Sequence, residues 1–232
     1  MPISVDKVHH RMEYLVSLVP SSPPTLARLV VERDALLALL MWETSMRGKK
    51  CGGVTLSDFS HSDGQSLKLP LPSPLPIGSL LTLRPNGTKT VKGRRSGPFV
   101  LTAGDGTAPS FLGRLPAYLK HRMPDNAPGS AFLFSPLTAD RRQFKDSCMS
   151  ASDIGKRMRH HLEQAALYAG ESSHGFRKGQ MQALSAAGIP SADIGKKAQI
   201  NTVATVEKYL DPSRHLPRLE RSANLKRLHA QI

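Results

Sequence analysis

One stretch near the start of the chain is apolar on every side of its helical pattern. Residues 35–42 read Ala-Leu-Leu-Ala-Leu-Leu-Met-Trp, and they lie inside a longer helix predicted from a cap at Thr25 to Met46. A helix that is apolar all round must be covered by neighbours on several sides. Since hydrophobic residues make up 39% of the 232 residues, the chain can bury such a helix in a packed core.

The rest of the sequence combines further helical patterns with short strands. Helices are predicted over residues 5–19, 109–123, 150–169, 191–198, 201–210 and 216–231, and another begins at Ser172 or Ser173. Strands are predicted at residues 54–56, 80–83, 88–91 and 97–103, with an Asn-Gly turn at 86–87 and a proline-rich loop at 60–79. This arrangement predicts an α+β fold, mainly helical, with a small antiparallel β-sheet.

The chain carries a large excess of positive charge. It has 32 Lys and Arg against 18 Asp and Glu, a formal net charge of +14, which predicts a polyanionic partner. The two cysteines, Cys51 and Cys148, have neither metal-ligand spacing nor a disulfide framework, and they indicate reduced thiols in an intracellular protein. No apolar run reaches membrane-spanning length, and the N-terminus does not resemble a signal peptide.

Basic residues recur at positions that suit phosphate binding. His174 and Arg177 lie three residues apart at a helix start, so both project from one face, where the helix end and the guanidinium favour an anion. Arg47 follows the most buried helix, and Lys89 lies in the predicted hairpin. Each pattern has a plain structural alternative, namely a solvated helix face, a helix-end cap or a sheet edge kept from pairing by positive charge.

Taken in order, these features resemble the catalytic domain of the tyrosine recombinases, the phage-integrase family. The stretches that carry the resemblance are Trp42-Glu43-Thr44-Ser45-Met46-Arg47-Gly48, Gly87-Thr88-Lys89-Thr90, His174-Gly175-Phe176-Arg177 and Val206-Glu207-Lys208-Tyr209-Leu210. The run from Ala187 to Tyr209 matches the family's spacing without a gap. The resemblance implies one catalytic domain over residues 1–232, with its core at about 26–215.

The resemblance also implies a reaction and its residues. Tyr209 attacks a DNA phosphodiester and forms a 3′-phosphotyrosyl intermediate, from which a second strand rejoins the break. Arg47 and Arg177 bind the charge that grows on the phosphate oxygens, and Lys89 protonates the leaving 5′-oxygen. His174 helps to move the proton and holds a phosphate oxygen. Neither a metal nor another cofactor is implied.

The implied partner is double-stranded DNA, bound by a tetramer, with no membrane involved and a location in the nucleus or nucleoid. DNA contacts are predicted for Lys49, Lys92, Arg94, Arg95 and Lys178, and Lys92 is the alternative to Lys89 as the acid. Helix 216–231 either docks into a neighbouring subunit or folds back on its own core. The roughly 25 residues before the core are too few for the family's N-terminal domain, which leaves three alternatives: a separate polypeptide supplies the clamp domain, the chain is a fragment, or DNA binding is weak.

Two positions depart from the family pattern. The family usually has an acidic residue three positions after the first arginine, where this chain has Lys50. It usually has histidine or tryptophan nine residues before the nucleophile, where this chain has Ile200. Losing such supporting groups commonly lowers activity without abolishing it.

Three alternatives therefore stay open. The first is a DNA-binding protein without catalysis, with a helix-turn-helix around residues 186–189 and residues 201–210 as the reading helix. The second is a recombinase-like protein that still binds DNA but has lost activity. The third is a type IB topoisomerase, which uses much the same chemistry to relax supercoils.

Overall fold

The order of elements follows the predicted mixture of helices and a small sheet. The structure is a computed structural model that describes residues 6–8, 10, 13–14, 25–85, 97–106 and 108–211. The helices are α1 (Leu26–Thr44), α2 (Gly48–Gly52), α3 (Phe111–Arg122), α4 (Ala151–Gln164), α5 (Ser173–Ala186), α6 (Ser191–Ala198) and α7 (Val203–Leu210). The strands are β1 (Phe59–His61), β2 (Leu80–Leu83) and β3 (Phe99–Thr102).

Helix α1 lies at the centre of the core, which confirms the prediction from its apolar sequence. Every residue from Ala35 to Met41 is buried, and α3, α4 and α5 pack around the helix. The Thr25 hydroxyl accepts the Arg28 amide at 3.2 Å and caps the helix, as predicted. The helix ends two residues before the predicted Met46, because Ser45 turns into the left-handed region at φ 55°.

The sheet is antiparallel in the order β1-β2-β3, with Phe59 opposite Leu83 and Leu81 opposite Leu101. The prediction of a strand at residues 54–56 is wrong, because a 3₁₀ helix occupies Leu56–Asp58. The Asp58 carboxylate accepts the Thr55 amide at 2.8 Å, and this capping turns the chain before β1 begins. Strand β1 also lies partly within residues 60–79, which were predicted as a loop. The predicted strand at 88–91 and its Asn-Gly turn lie outside the described residues.

Helix α2 was not predicted, and the other helices match their predictions except at their ends. Helix α4 ends five residues before the predicted residue 169, because the chain turns at Ala166, whose φ is 54°. Helix α7 begins at Val203 rather than 201, and α5 begins at Ser173 with Ser172 at its N-cap. The Ser172 side chain makes no capping hydrogen bond there. The described parts of residues 6–14 are helical, whereas helix 216–231 lies outside the described residues.

Helix α5 links two hydrophobic clusters. Its Phe176 packs into the main cluster around α1, and its Met181 packs into a second cluster with Ile194, Ala198 and Val206. This second cluster joins α5 to α6 and α7. Because α5 packs into both clusters, the orientation of its remaining face is fixed.

A buried group of charges fastens α1 to α4. The Asp34 carboxylate accepts hydrogen bonds from Arg33 at 2.7 Å, Arg157 at 2.7 Å and His161 at 2.8 Å. Burial alone would raise the pKa of Asp34, but these three partners hold that pKa well below its usual range. The carboxylate therefore stays ionised and fully hydrogen-bonded within the core.

Candidate active site

The first turns of α5 bring His174 and Arg177 against the ring of Tyr209, near the end of α7. The ring centroids of His174 and Tyr209 are 5.4 Å apart, with an angle of 50° between the planes. The guanidinium carbon of Arg177 lies 5.8 Å from the Tyr209 ring centroid. Three residues predicted to be catalytic thus lie together, although Tyr209 and the pair of His174 and Arg177 come from separate stretches of the predicted pattern.

Arg177 is deeply buried for an arginine, with only 7% of its surface exposed. Its Nη1 donates to the Ser45 carbonyl at 2.6 Å, whereas its buried Nε has no hydrogen-bond partner among the described residues. Burial lowers the pKa of Arg177 and nearby Arg47 lowers it further, while Tyr209 opposes the shift. An arginine stays protonated in proteins, so the site holds a poorly hydrated cation with unused donors.

The end of α1 is held in place by two side chains of α5. Arg177 binds the Ser45 carbonyl, and the Gln180 amide donates to the Glu43 carbonyl at 3.1 Å. These bonds support the left-handed turn at Ser45, a conformation that a serine rarely adopts. The turn places Arg47 at the N-cap of α2, where its side chain is exposed.

His174 is half-buried beside three positive charges. Burial lowers its pKa first, and Arg177, Lys178 and Arg47 lower it further. The imidazole is therefore neutral at neutral pH, and a neutral imidazole can accept a proton. His174 therefore presents a proton acceptor next to the Tyr209 ring.

The two positions that depart from the family pattern have different surroundings. Lys50 donates from Nζ to the Gln199 side-chain oxygen at 3.0 Å, and its Nζ lies 5.3 Å from the Phe99 ring centroid. Burial lowers the pKa of Lys50, as do the charges of Arg177 and Arg47. Ile200 is instead half-buried and packs against the second cluster, so this position presents an apolar group.

The predicted DNA contacts are only partly within the described residues. Lys49 is exposed on α2, and Lys178 is half-buried on α5 close to His174. The other basic residues of this group lie in the segment 86–96, outside the described residues, and they are Lys89, Lys92, Arg94 and Arg95. The identity of the general acid therefore stays a prediction.

Sequence reasoning missed the residues that support this site. Ser45 gives no glycine or asparagine signal for its left-handed turn, and neither Gln180 nor Gln199 lies in a recognisable motif. Lys50 was noticed only as a departure, and its link to Gln199 spans 149 positions. No local pattern reports a contact between residues that far apart.

The part of the chain that the structure describes has neither a membrane-spanning helix nor a metal-binding cluster. No helix there is long and apolar enough to cross a bilayer. No group of three or more His, Cys, Asp and Glu side chains gathers there in a way that could hold a metal ion.

Comparison with solved structures shows the fold. No protein-family profile matches the sequence, and no curated protein matches it. The chain is similar to the XerH site-specific recombinase in a post-cleavage complex with palindromic difH substrate, with TM-score 0.58 and 15% identity over 98% of this chain and 53% of that one. It is similar to XerA recombinase, with TM-score 0.57 and 15% identity over 100% of this chain and 62% of that one.

The Tn1549 transposon integrase in complex with circular intermediate DNA is also similar, with TM-score 0.52 and 15% identity over 97% of this chain and 64% of that one. The chain thus spans between about half and two thirds of the length of these proteins. These likenesses confirm the predicted fold, that of the tyrosine recombinase catalytic domain.

Proposed function

We propose that this chain breaks and rejoins double-stranded DNA as a site-specific recombinase, with Tyr209 as its nucleophile. The observation that carries the proposal is the contact of one tyrosine ring with both His174 and Arg177. Two further observations support it. The fold is that of recombinases, and the XerH and Tn1549 integrase structures contain DNA.

The proposed cleavage step is a transfer of the DNA phosphate to Tyr209. The tyrosine oxygen bonds to phosphorus while the bond from phosphorus to the 5′-oxygen breaks, leaving a 3′-phosphotyrosyl link. Neutral His174 takes up the hydroxyl proton, and the general acid, predicted as Lys89, donates a proton to the 5′-oxygen. In the reverse step the 5′-hydroxyl of another strand attacks the phosphorus and releases Tyr209. The energy of the broken phosphodiester bond is conserved in the phosphotyrosyl link until that step.

Positive charge stabilises this transition state. Arg177 brings an almost dry guanidinium to the tyrosine, and Arg47 adds an exposed one from the N-cap of α2. The charge on the non-bridging oxygens grows during the reaction, so fixed cations bind the transition state more tightly than the substrate. Such stabilisation fits a reaction that needs no metal.

The experiment is to trap the covalent intermediate. The protein is incubated with nicked suicide DNA duplexes of mixed sequence, and adducts are separated on a denaturing gel. We expect an adduct with the unsubstituted chain and none with Tyr209→Phe. Tyr168→Phe is the matched control, because Tyr168 is another partly buried tyrosine outside the site. An adduct that persists in Tyr209→Phe would exclude this tyrosine as the nucleophile.

A DNA-binding protein without cleavage is the second candidate. Ile200 favours it, because its side chain is apolar and has no group to bond the phosphate, at the position where the family usually has histidine or tryptophan. Duplex binding without any adduct, including with a recombinase clamp domain added in trans, would support this candidate. A supercoil-relaxation assay separates the topoisomerase alternative from a recombinase, which exchanges strands between sites.

A further inference from the structure

The half-buried Lys50 connects three segments around the candidate active site. It lies on α2, its Nζ donates to Gln199 in the turn between α6 and α7, and it lies over the Phe99 ring of β3. The Gln199 amide nitrogen in turn donates to the Gly97 carbonyl, two residues before β3. Helix α2, the turn before α7 and the start of β3 therefore meet at one side-chain amide.

The amide of Gln199 is satisfied only if position 50 provides a donor. Its oxygen accepts from Lys50 and its nitrogen donates to Gly97, so both ends of the amide are used. An acidic side chain at position 50 would offer an acceptor and require the amide to rotate. The amide oxygen would then face the Gly97 carbonyl, and two acceptors would lie together without a hydrogen between them.

The backbone also fixes the direction of Gln199. This residue ends α6 in the left-handed region, at φ 53° and ψ 48°. The backbone N–H of Gln199 donates to the Lys196 carbonyl at 3.1 Å, and the backbone N–H of Ile200 donates to the Gly195 carbonyl at 2.8 Å. The side chain therefore leaves a well-fixed turn, and its hydrogen bonds transmit that position to α2.

We propose that Lys50 is a positioning residue that, through Gln199, fixes α7 and its Tyr209 relative to Arg47 and Arg177. The catalytic part of this inference rests on the proposed function, because it takes Tyr209 as the nucleophile. Arg47 opens α2 three residues before Lys50, and α7 begins four residues after Gln199. The contact between Lys50 and Gln199 thus links α2, which follows Arg47, to the turn that leads into α7 and Tyr209.

The contact also explains how a lysine is tolerated beside two arginines. The charges of Arg47 and Arg177 both act on Lys50 and oppose its protonated form. The Gln199 oxygen and the Phe99 ring face are partners that favour a cation. Lys50 therefore adds a further positive charge beside Arg47 and Arg177 while taking over a supporting task that an acid performs in the family.

Hydrogen exchange tests the link without any need for DNA cleavage. The variants Lys50→Met and Gln199→Met keep the side-chain length and remove the hydrogen bond. We expect the amides of residues 203–210 to exchange about tenfold faster or more in both variants, with the amides of α4 unchanged. Lys156→Met is the control, because it removes the same charge from an exposed position on α4. Unchanged exchange in α7, or equal acceleration in α4, would overturn the proposal.

Cleavage kinetics test the positioning role. Under single-turnover conditions we expect each variant to cut suicide DNA about 10- to 100-fold more slowly, because small misplacements of reacting groups are costly. Gln199→Met removes no charge, so its duplex affinity should stay within about threefold of that of the unsubstituted chain, and the double variant should lose no more rate than the slower single variant. Losses that multiply in the double variant would overturn the link. If the unsubstituted chain forms no adduct, the proposed function fails, and hydrogen exchange still decides whether Lys50 holds α7.

Discussion

Arg177 shows how one residue can serve both the fold and the site. Its bond to the Ser45 carbonyl supports the turn that leads to Arg47, and its guanidinium also faces Tyr209. A cation in so little water is weakly screened, so its interaction with a bound phosphate is stronger than that of an exposed arginine. The same burial makes the residue hard to replace, because its partners would lose a charged donor.

The first prediction concerns Arg177→Ala. We expect cleavage of suicide DNA to fall by about 100-fold or more, since a donor to the transition state is lost. Duplex affinity should fall by less than about fivefold, because one phosphate contact among several disappears. Parallel gel-shift and cleavage assays measure the two effects, with the exposed Arg142→Ala as the charge-matched control. Equal losses in binding and cleavage would contradict a catalytic role, and a thermal melt shows whether the variant is folded.

At the scale of elements, the short helix α2 depends on its neighbours. Five residues are too few for a helix that is stable by itself, so packing must hold α2 in place. A Cβ added at Gly52 would lie 2.3 Å from the Met149 carbonyl oxygen, and one at Gly48 would lie 3.3 Å from the Ser173 hydroxyl. Close contact with backbone at Gly52 and with side chains at Gly48 therefore fixes the helix that presents Arg47.

The second prediction compares two adjacent glycines. We expect Gly52→Ala to lower the free energy of unfolding by about 1–3 kcal/mol, because its Cβ meets backbone that cannot easily move. Gly53→Ala should change it by less than about 0.5 kcal/mol, since the nearest atom to its Cβ is 3.8 Å away. Urea unfolding of both variants measures the difference. Equal effects would mean that α2 is not held by this contact.

These elements also show what the sequence can predict. Helix α1 was predictable because its apolar run admits only a buried helix, and α6 because its pattern ends at clear boundaries. Helix α2 was missed because its five residues are too few to show an apolar period. The five catalytic candidates were predicted from order and residue type, and they are Arg47, Lys89, His174, Arg177 and Tyr209. The Gln199 contact did not, since it exists only after α6 and α2 have packed together.

At the scale of the whole molecule, the distribution of acids matters more than the net charge of +14. The described acidic residues that form salt bridges pair with basic residues other than those of the candidate site, as Asp34 does with Arg157 and Glu171 does with Lys7. Within the described ranges, five basic residues around the candidate site form no salt bridge, and they are Arg47, Lys49, Lys50, Arg177 and Lys178. Positive charge is therefore concentrated where a DNA phosphate is proposed to bind.

The third prediction follows from this concentration of charge. Binding DNA to a positive surface releases counterions, so affinity for a duplex should fall about tenfold or more between low and physiological salt. Lys49→Met should reduce the magnitude of the slope of log affinity against log salt by about one, as expected for the loss of one phosphate contact. Lys156→Met on α4 should leave the slope unchanged. Fluorescence anisotropy over a salt series measures both slopes. A flat titration would exclude a polyanionic partner, and equal slope changes would mean that the phosphate contacts are spread over the surface rather than gathered around Tyr209.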